Sequence, residues 1–342
     1  MARRFRDAFF KSIENILISL VKNLRIETNK KFIVIFTERN GRGFKESLAE
    51  INFVRSLKKS GYQYKLFKYN NPLWIIDTLV LLALLATKKP SQIIYTQRMQ
   101  HHVFPSNEIQ SFIFKYTNIY QINFWMDSHN QTLWKNMIEP GSKFTQLEIL
   151  NDRPDLENVP HELKNKTIFH PCPYDLNISS KYIDKNSGVF FSGSIGGSME
   201  LNRRKKYLDF ALEKGIQIKG YDPYNRNKRK INYDDYSLLL SKSLISLNFS
   251  WYSGGYAING RTWETLKVNT LLIENQNPLT EYFLTPNIHY INFLDEFDMV
   301  DKVKYFKKHP EEANLIALQG HLRCKEIFSN QRFWKKIINL TR

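Results

Sequence analysis

The feature that most constrains this chain is an alternation. Short, unbroken apolar runs each leave through a polar or glycine-bearing loop into a segment with helical spacing. KFIVIF at 31–36 is the first such run. A strand that is apolar at every position has both faces covered, and strands of that kind alternating with helices build a parallel sheet. The loop TERNGRGFKES follows, then a predicted helix through LAEINFVRSLKKSG with Gly61 as its cap. YQYKLFKY, SQIIYTQ and NIYQINFWM read as the next strands, separated by helices over 73–87 and 108–115. The stretch 127–161 is less regular and predicts a helix near 131–137 and a strand near 144–150. TIFHPCPYD at 167–175 reads as the last strand of this half and its exit.

The pattern restarts after the polar, unpatterned segment LNISSKYIDKNS. GVFFSGSIGGS at 188–198 runs from an apolar strand straight into a glycine-serine turn, and NRRKKYLDFALEKG follows as a helix that Gly215 ends. IQIKGYD, LISLNFS, NTLLIEN and NIHYINF read as further strands. YDDYSLLLSKS and the segment from Arg261 read as helices, WYSGGYAING as a loop, and the residues from Asp295 onward as helices to the end. The expected fold is therefore α/β with two Rossmann-like domains facing a central cleft. Residues 31–178 form the first, 179–342 form the second with its terminal helices, and 1–30 form an N-terminal amphipathic helix. A length of 342 residues suits two domains of about 100–200 residues each.

Composition narrows the class. Hydrophobic residues make up 42% and charged residues 24%, which excludes a disordered chain. The net charge of +17 favours acidic partners. Two sources fit it: a base-composition bias that enriches Lys, Asn and Ile throughout, or a specific basic patch. Two cysteines, Cys172 and Cys324, provide neither a disulfide framework nor a four-thiolate zinc site, and are expected as buried, reduced thiols in a cytoplasmic protein. The apolar run 73–87 is shorter than the roughly 20 residues of a membrane span and contains Asp77. In the N-terminal segment, charged residues interrupt the apolar stripe of Phe5, Phe9, Ile13, Ile16, Leu17, Leu20, Val21 and Leu24 and no small-residue cleavage site follows, so an amphipathic helix is expected there rather than a signal peptide. It either packs on the protein body or docks peripherally on a membrane through its basic flank.

Several clusters carry chemistry. Ser192-Gly193-Ser194-Ile195-Gly196-Gly197 reads either as a purely structural turn or as a place where backbone N–H groups between a strand and a helix start approach a phosphate. Arg203 and Arg204 follow in the next turn of chain and read either as partners for diphosphate oxygens or as a solvated helix face, the second reading being expected for one of the two. Arg261 and Glu264 open a helix after Gly255 and Gly260. They read either as a surface i,i+3 ion pair or as an anion clamp beside a carboxylate acceptor. Asn259 and Thr262 stand close by as supporting groups, and Asn248 ends a strand where open α/β sheets place ligands. Tyr221 either contacts a nucleotide base or packs in the core.

Taken in order, VFFSGSIGG, KGYD, YSLLLSKSLISLNFS, GRTWETLKVNTLLIENQNPLTEYF and the closing helices with Phe333 and Trp334 resemble the glycosyltransferase group-1 domain, in its spore-maturation-protein-like branch, over residues 188–334. The resemblance implies the GT-B fold and an enzyme that moves a glycosyl group, hexosyl or related, from a nucleotide-sugar donor to a glycan, lipid-linked or protein acceptor. No cofactor other than that donor substrate is implied. It also implies that Glu264 accepts the ribose hydroxyls, and that Arg261 and the Gly193 loop meet the departing diphosphate. Asp-x-Asp, the usual cation-holding motif of the other glycosyltransferase fold, is absent from the sequence, and so is a P-loop. A metal-independent transfer is therefore expected. The acceptor base is expected from the first half: Asp127 at the end of NFWM, then His101 and His102, with Glu38 and His129 as further strand-end candidates. His170 in FHPCPYD is expected to be structural. The competing readings are a basic nucleic-acid-binding protein, drawn from the charge and from NRNKRK at 225–230 but lacking any nucleic-acid motif, and an inactive nucleotide-binding scaffold of the same fold.

Overall fold

The structure is a computed structural model that describes residues 12, 19, 29–38, 50–69, 74–96, 107–125, 141–157, 159–175, 186–195, 198–221, 233–252 and 255–339. Apart from residues 12, 19, 29 and 30, the N-terminal segment 1–30 lies outside the described residues. So do the predicted helix near 131–137, the run 225–230, and Asp127, His101, His102, His129, Gly196 and Gly197. The chain divides into two compact units. One comprises Met1–Asn151, Leu156–Asp175 and Asn330–Arg342, and the other Asp152–Asp155 and Leu176–Ser329.

The first unit is built on six parallel strands: β1 Asn29–Glu38, β2 Gln63–Tyr69, β3 Pro90–Thr96, β4 Tyr120–Trp125, β5 Leu147–Leu150 and β6 Thr167–Phe169. Their order is β2-β1-β3-β4-β5-β6. Every residue of β3 is buried, including the polar Ser91, Gln92 and Thr96, as a strand covered on both faces requires. The helices Trp74–Lys88 and Asn107–Tyr116 lay Leu81, Leu85, Ile109, Phe112 and Ile113 against Val34, Ile93 and Tyr95 of the sheet.

The helix Asn330–Asn339 also belongs to this unit, which differs from the expectation that it completes the second domain. Its apolar face carries Phe333, Trp334, Ile337 and Ile338, all buried. Phe333 meets Phe53 and Phe124 edge-on, Trp334 Nε1 donates to Ser56 Oγ (2.9 Å), and Gln92 Nε2 donates to the Ile337 carbonyl (2.8 Å). Burying two such aromatic side chains stabilises the attachment by about 1.5–3 kcal/mol each. His170 is structural, as expected. Its ring stands 4.7 Å from that of Phe333, and Nδ1 lies 2.7 Å from the Pro171 carbonyl oxygen.

The second unit carries β7 Asn186–Phe190, β8 Ile218–Lys219, β9 Ser243–Asn248, the short hairpin β10 Trp251–Tyr252 and β11 Gly255–Tyr256, then β12 Leu271–Asn275 and β13 Ile291–Phe293. The five long-sheet strands are parallel in the order β13-β12-β9-β7-β8. The expected loop WYSGGYAING thus contains a hairpin, and the expected strand IQIKGYD shrinks to two residues. Gly220 ends that strand at φ +87°, and a Cβ there would stand 2.1 Å from the Phe191 carbonyl oxygen, so only glycine fits. The chain steps from β7 to β8 on one side and to β9 on the other. The gap between the ends of β7 and β9 is therefore the switch point at which open α/β sheets receive ligands.

Both cysteines are free and buried. Among the described residues no helix is long and apolar enough to cross a membrane.

Candidate functional site

The switch point of the second unit gathers most of the residues singled out from sequence. After β7 the chain buries Phe191 and turns through Ser192, Gly193 and Ser194, the last two exposed. After β9 it presents Asn248, Phe249 and Ser250. From β11 it enters the helix Gly260–Lys267, whose N-cap Asn259 accepts the Arg261 backbone N–H (3.1 Å).

The Asn248 side chain organises the cluster. Its Nδ2 donates to Glu274 Oε1 (2.6 Å) and to Thr262 Oγ1 (3.0 Å). That orientation turns Oδ1 toward donors, and it accepts from Asn259 Nδ2 (2.9 Å) and Arg261 Nε (3.2 Å). The Arg261 guanidinium in turn lies on the Gly193 backbone: a Cβ at Gly193 would come within 3.2 Å of Nη1 and 3.3 Å of Cζ. A side chain there would make the guanidinium and the Phe191 ring, 3.1 Å away, give by a few tenths of an ångström. Gly193, Asn248, Asn259, Arg261 and Thr262 are thus one contiguous group at the start of a helix. That helix has no acidic residue in its first turn, so its end attracts anions.

Glu264 lies one turn further along the same helix and is buried. Tyr236, in the helix Tyr233–Lys242, donates its hydroxyl to Glu264 Oε2 (2.6 Å). Burial raises the pKa of Glu264 above the ordinary carboxylate value, while the Tyr236 hydrogen bond and the Arg261 charge pull it down. Trp263, between them, points into the core and packs edge-on against Phe283 and Phe328.

Arg203, Arg204 and Tyr221 have distinct surroundings. Arg203, chosen to meet phosphate, is on the exposed face of the helix Met199–Glu213, with its guanidinium 5.9 Å from the centre of the Tyr207 ring. Arg204 is the buried one of the pair, and its Nη2 donates to the Phe249 carbonyl (3.2 Å), which also accepts from Asn259 (3.1 Å). Residues 204, 207, 208 and 211 form a buried stripe at helical spacing, and that stripe was the available signal. Tyr221 takes the second of its two sequence readings. Its ring is in the core, 6.4 Å from that of Phe191, and its hydroxyl donates to Asp209 Oδ1 (2.5 Å).

Sequence reasoning missed Glu274. It sits in β12, fully buried, and accepts four side-chain hydrogen bonds: from Asn248, Ser250 Oγ (2.6 Å), Thr262 Oγ1 (2.9 Å) and Thr280 Oγ1 (2.8 Å). Burial raises its pKa and these four donors oppose the rise. A single Glu inside LLIEN gave no sign of this, because the partners come from 26 residues upstream to 6 downstream.

In the first unit another buried carboxylate, Glu148, accepts from Trp125 Nε1 (2.6 Å), Asn123 Nδ2 and Thr145 Oγ1. Glu38 ends β1, and the other candidate acceptor bases, Asp127, His101, His102 and His129, lie outside the described residues. Among the described residues no group of three or more His, Cys, Asp or Glu is placed to hold a metal ion.

Residues 199–339 match a family model described as "Glycosyl transferase-like". No curated protein matches the chain at a significant level. Solved structures resemble it over nearly its whole length. Anabaena HepE in complex with UDP and glucose aligns with a TM-score of 0.60 at 11% identity, covering 91% of this chain and 99% of that one. An alpha-glucosyltransferase in complex with UDP and a 13-mer DNA containing a central A:G mismatch aligns with a TM-score of 0.62 at 12% identity, again covering 91% and 99%. Sucrose-phosphate synthase from Thermosynechococcus elongatus aligns with a TM-score of 0.57 at 10% identity, covering 91% and 98%.

Proposed function

From the match of residues 199–339 to a glycosyl transferase-like family model, in a chain with the GT-B fold, we propose that this protein is a glycosyltransferase acting on a nucleotide-hexose donor without a metal ion. One observation carries the reading: Arg261, aimed by Asn248 and laid on Gly193, stands at a helix N-terminus at the sheet's switch point. An anion is what such a place binds.

In the proposed mechanism the donor diphosphate sits over Gly193 and the first turn of the helix Gly260–Lys267. As the bond from the sugar's anomeric carbon to the diphosphate oxygen breaks, negative charge grows on that oxygen. The Arg261 guanidinium and the helix N–H groups stabilise it. Glu264 receives the ribose hydroxyls, a task for which its two oxygens suit it. The acceptor hydroxyl oxygen bonds to the anomeric carbon and yields its proton to a base of the first unit, with Asp127 proposed first and His101 second. The acceptor is a glycan, lipid-linked or protein hydroxyl, the setting is cytoplasmic glycan biosynthesis, and residues 1–30 contact an anionic membrane face. UDP and glucose in the HepE complex, and UDP in the alpha-glucosyltransferase complex, support a UDP-hexose as donor.

Calorimetric titration with UDP-glucose tests the reading. Arg261→Met and Glu264→Gln should each weaken binding by about tenfold or more, since each removes a charge-assisted hydrogen bond. Parental affinity in both variants would end it. A second acceptor class has a specific motive, because the net charge is +17 and one structural neighbour holds DNA. Oligonucleotide binding that falls steeply with salt, together with glucosylation of the oligonucleotide, would favour it.

A further inference from the structure

We propose that Tyr236 is a positioning residue that sets the preference for ribonucleotide over 2′-deoxyribonucleotide donors, by fixing the Glu264 carboxylate in the orientation that receives the ribose diol. The inference rests on the reading of Glu264 as the ribose acceptor and adds the group that aims it.

The geometry begins with a soft torsion. A glutamate carboxylate turns broadly about its last bond, so burial alone does not fix where its lone pairs point. Here the Tyr236 hydroxyl takes one lone pair of Oε2 at 2.6 Å, and Tyr233 stands one helical turn earlier. The Tyr236 ring is itself held. Its centroid lies 5.8 Å from that of Phe190 and 5.9 Å from that of Tyr233, and it packs on the cluster of Phe190, Leu240 and Val268. Phe190 ends β7, immediately before the Gly193 turn, so the ring is anchored to the same strand that places the phosphate loop. A carboxylate offers about four lone-pair directions. With one taken by a fixed donor, the rest have set directions, and a diol meets them without reorganisation. Discrimination against a ligand lacking one hydroxyl is strongest when the protein's polar group is held in place, because it is then left unpaired.

The experiment measures dissociation constants for UDP and 2′-deoxy-UDP by calorimetry in the parent, Tyr236→Phe, Tyr233→Phe/Tyr236→Phe and Glu264→Gln proteins. The parent is expected to favour UDP by about tenfold or more. Tyr236→Phe is expected to weaken UDP and leave 2′-deoxy-UDP unchanged, bringing the ratio to within about threefold, and the double variant to bring it close to one. The unchanged deoxy ligand doubles as the check on folding. If Tyr236→Phe and the double variant weaken both ligands equally, or neither, while Glu264→Gln abolishes the ratio, Tyr236 has no part in selection and the inference fails alone. If Glu264→Gln keeps the parental ratio, the ribose reading of Glu264 fails and takes the inference with it.

Discussion

Replacing Glu274 tests how much of the second unit's stability depends on the buried network beneath Arg261. Glu274→Leu removes the acceptor of four side-chain donors, from Asn248, Ser250, Thr262 and Thr280, all buried. A buried donor left without a partner costs about 1–3 kcal/mol. The hydroxyls recover part of this by turning, so the lower end applies to each, and the loss is about 4 kcal/mol. That falls within the range for breaking one side of a buried charged network, about 3–5 kcal/mol. It is also a large fraction of an ordinary domain's stability of about 5–15 kcal/mol. Glu274→Gln is the control. Its carbonyl takes the Oε1 place and keeps three of the four donors, while its amide faces Thr280 Oγ1, which turns to accept. The expected loss is under about 1 kcal/mol. Urea unfolding of the full chain reads both variants, with amide exchange in peptides covering β9 and β12 reporting when the second unit opens. A leucine variant within about 1 kcal/mol of the parent would refute the network's role, as would a glutamine variant as damaged as the leucine one.

Burial raises the Glu264 pKa, and a carboxylate must be ionised to accept two hydroxyls. UDP-glucose affinity should therefore fall as pH drops through that raised value, by up to about tenfold per unit, and Glu264→Gln should flatten the profile; a flat parental profile would contradict this. The same shifts at Glu264 and Glu274 make the folded state bind protons more tightly than the unfolded chain, so their contribution to stability falls as pH rises through the folded pKa, which urea midpoints across acidic to neutral pH will check. Gly193→Ala places a Cβ 3.2 Å from Arg261 Nη1 and should weaken UDP-glucose binding severalfold with little change in melting temperature; unaltered affinity in calorimetry would mean the guanidinium need not lie there. Arg204→Met should reduce both melting temperature and donor affinity, whereas Arg203→Met should leave both near the parent. Equal effects of the two would dissolve the distinction between the buried and exposed arginine.

Much of this architecture was legible because both sheets advertise themselves. KFIVIF, SQIIYTQ and LISLNFS are short, mostly apolar runs bounded by loops, and their length separates them from the longer apolar helix over 73–87. The start of the helix Gly260–Lys267 was legible to within a residue, after Gly255 and Gly260, and it fixed Arg261 and Glu264 on one end of one helix, while the capping role of Asn259 came only with the structure. Three things were not legible. The attachment of Asn330–Asn339 to the first unit pairs Trp334 with Ser56 across 278 residues, and no local pattern encodes such a partner. Tyr236 reaches Glu264 from a different helix, 28 residues away, and YDDYSLLLSK contains two tyrosines with nothing to rank them. Glu274 looked like an interruption of an apolar strand, because a buried carboxylate is identified by its donors, and those are scattered in sequence.

These cases share a cause that bears on how the site works. An arginine in the first turn of a helix stands beside the positive end of the backbone dipole, which is an unfavourable place for a cation. Yet Arg261 is held there, with its Nε bonded to Asn248 and its guanidinium beside Gly193. Asn248 is in turn held by Glu274 and Thr262, and Asn259 by the Asn248 amide oxygen and the Phe249 carbonyl. The network's negative charge, on Glu274, is buried below and turned inward onto four donors of its own. The outward-facing residue of the arrangement is therefore positive and rigid before any ligand arrives. Such a site stabilises charge that appears during bond breaking without reorganising, which is the condition under which electrostatic stabilisation is strongest.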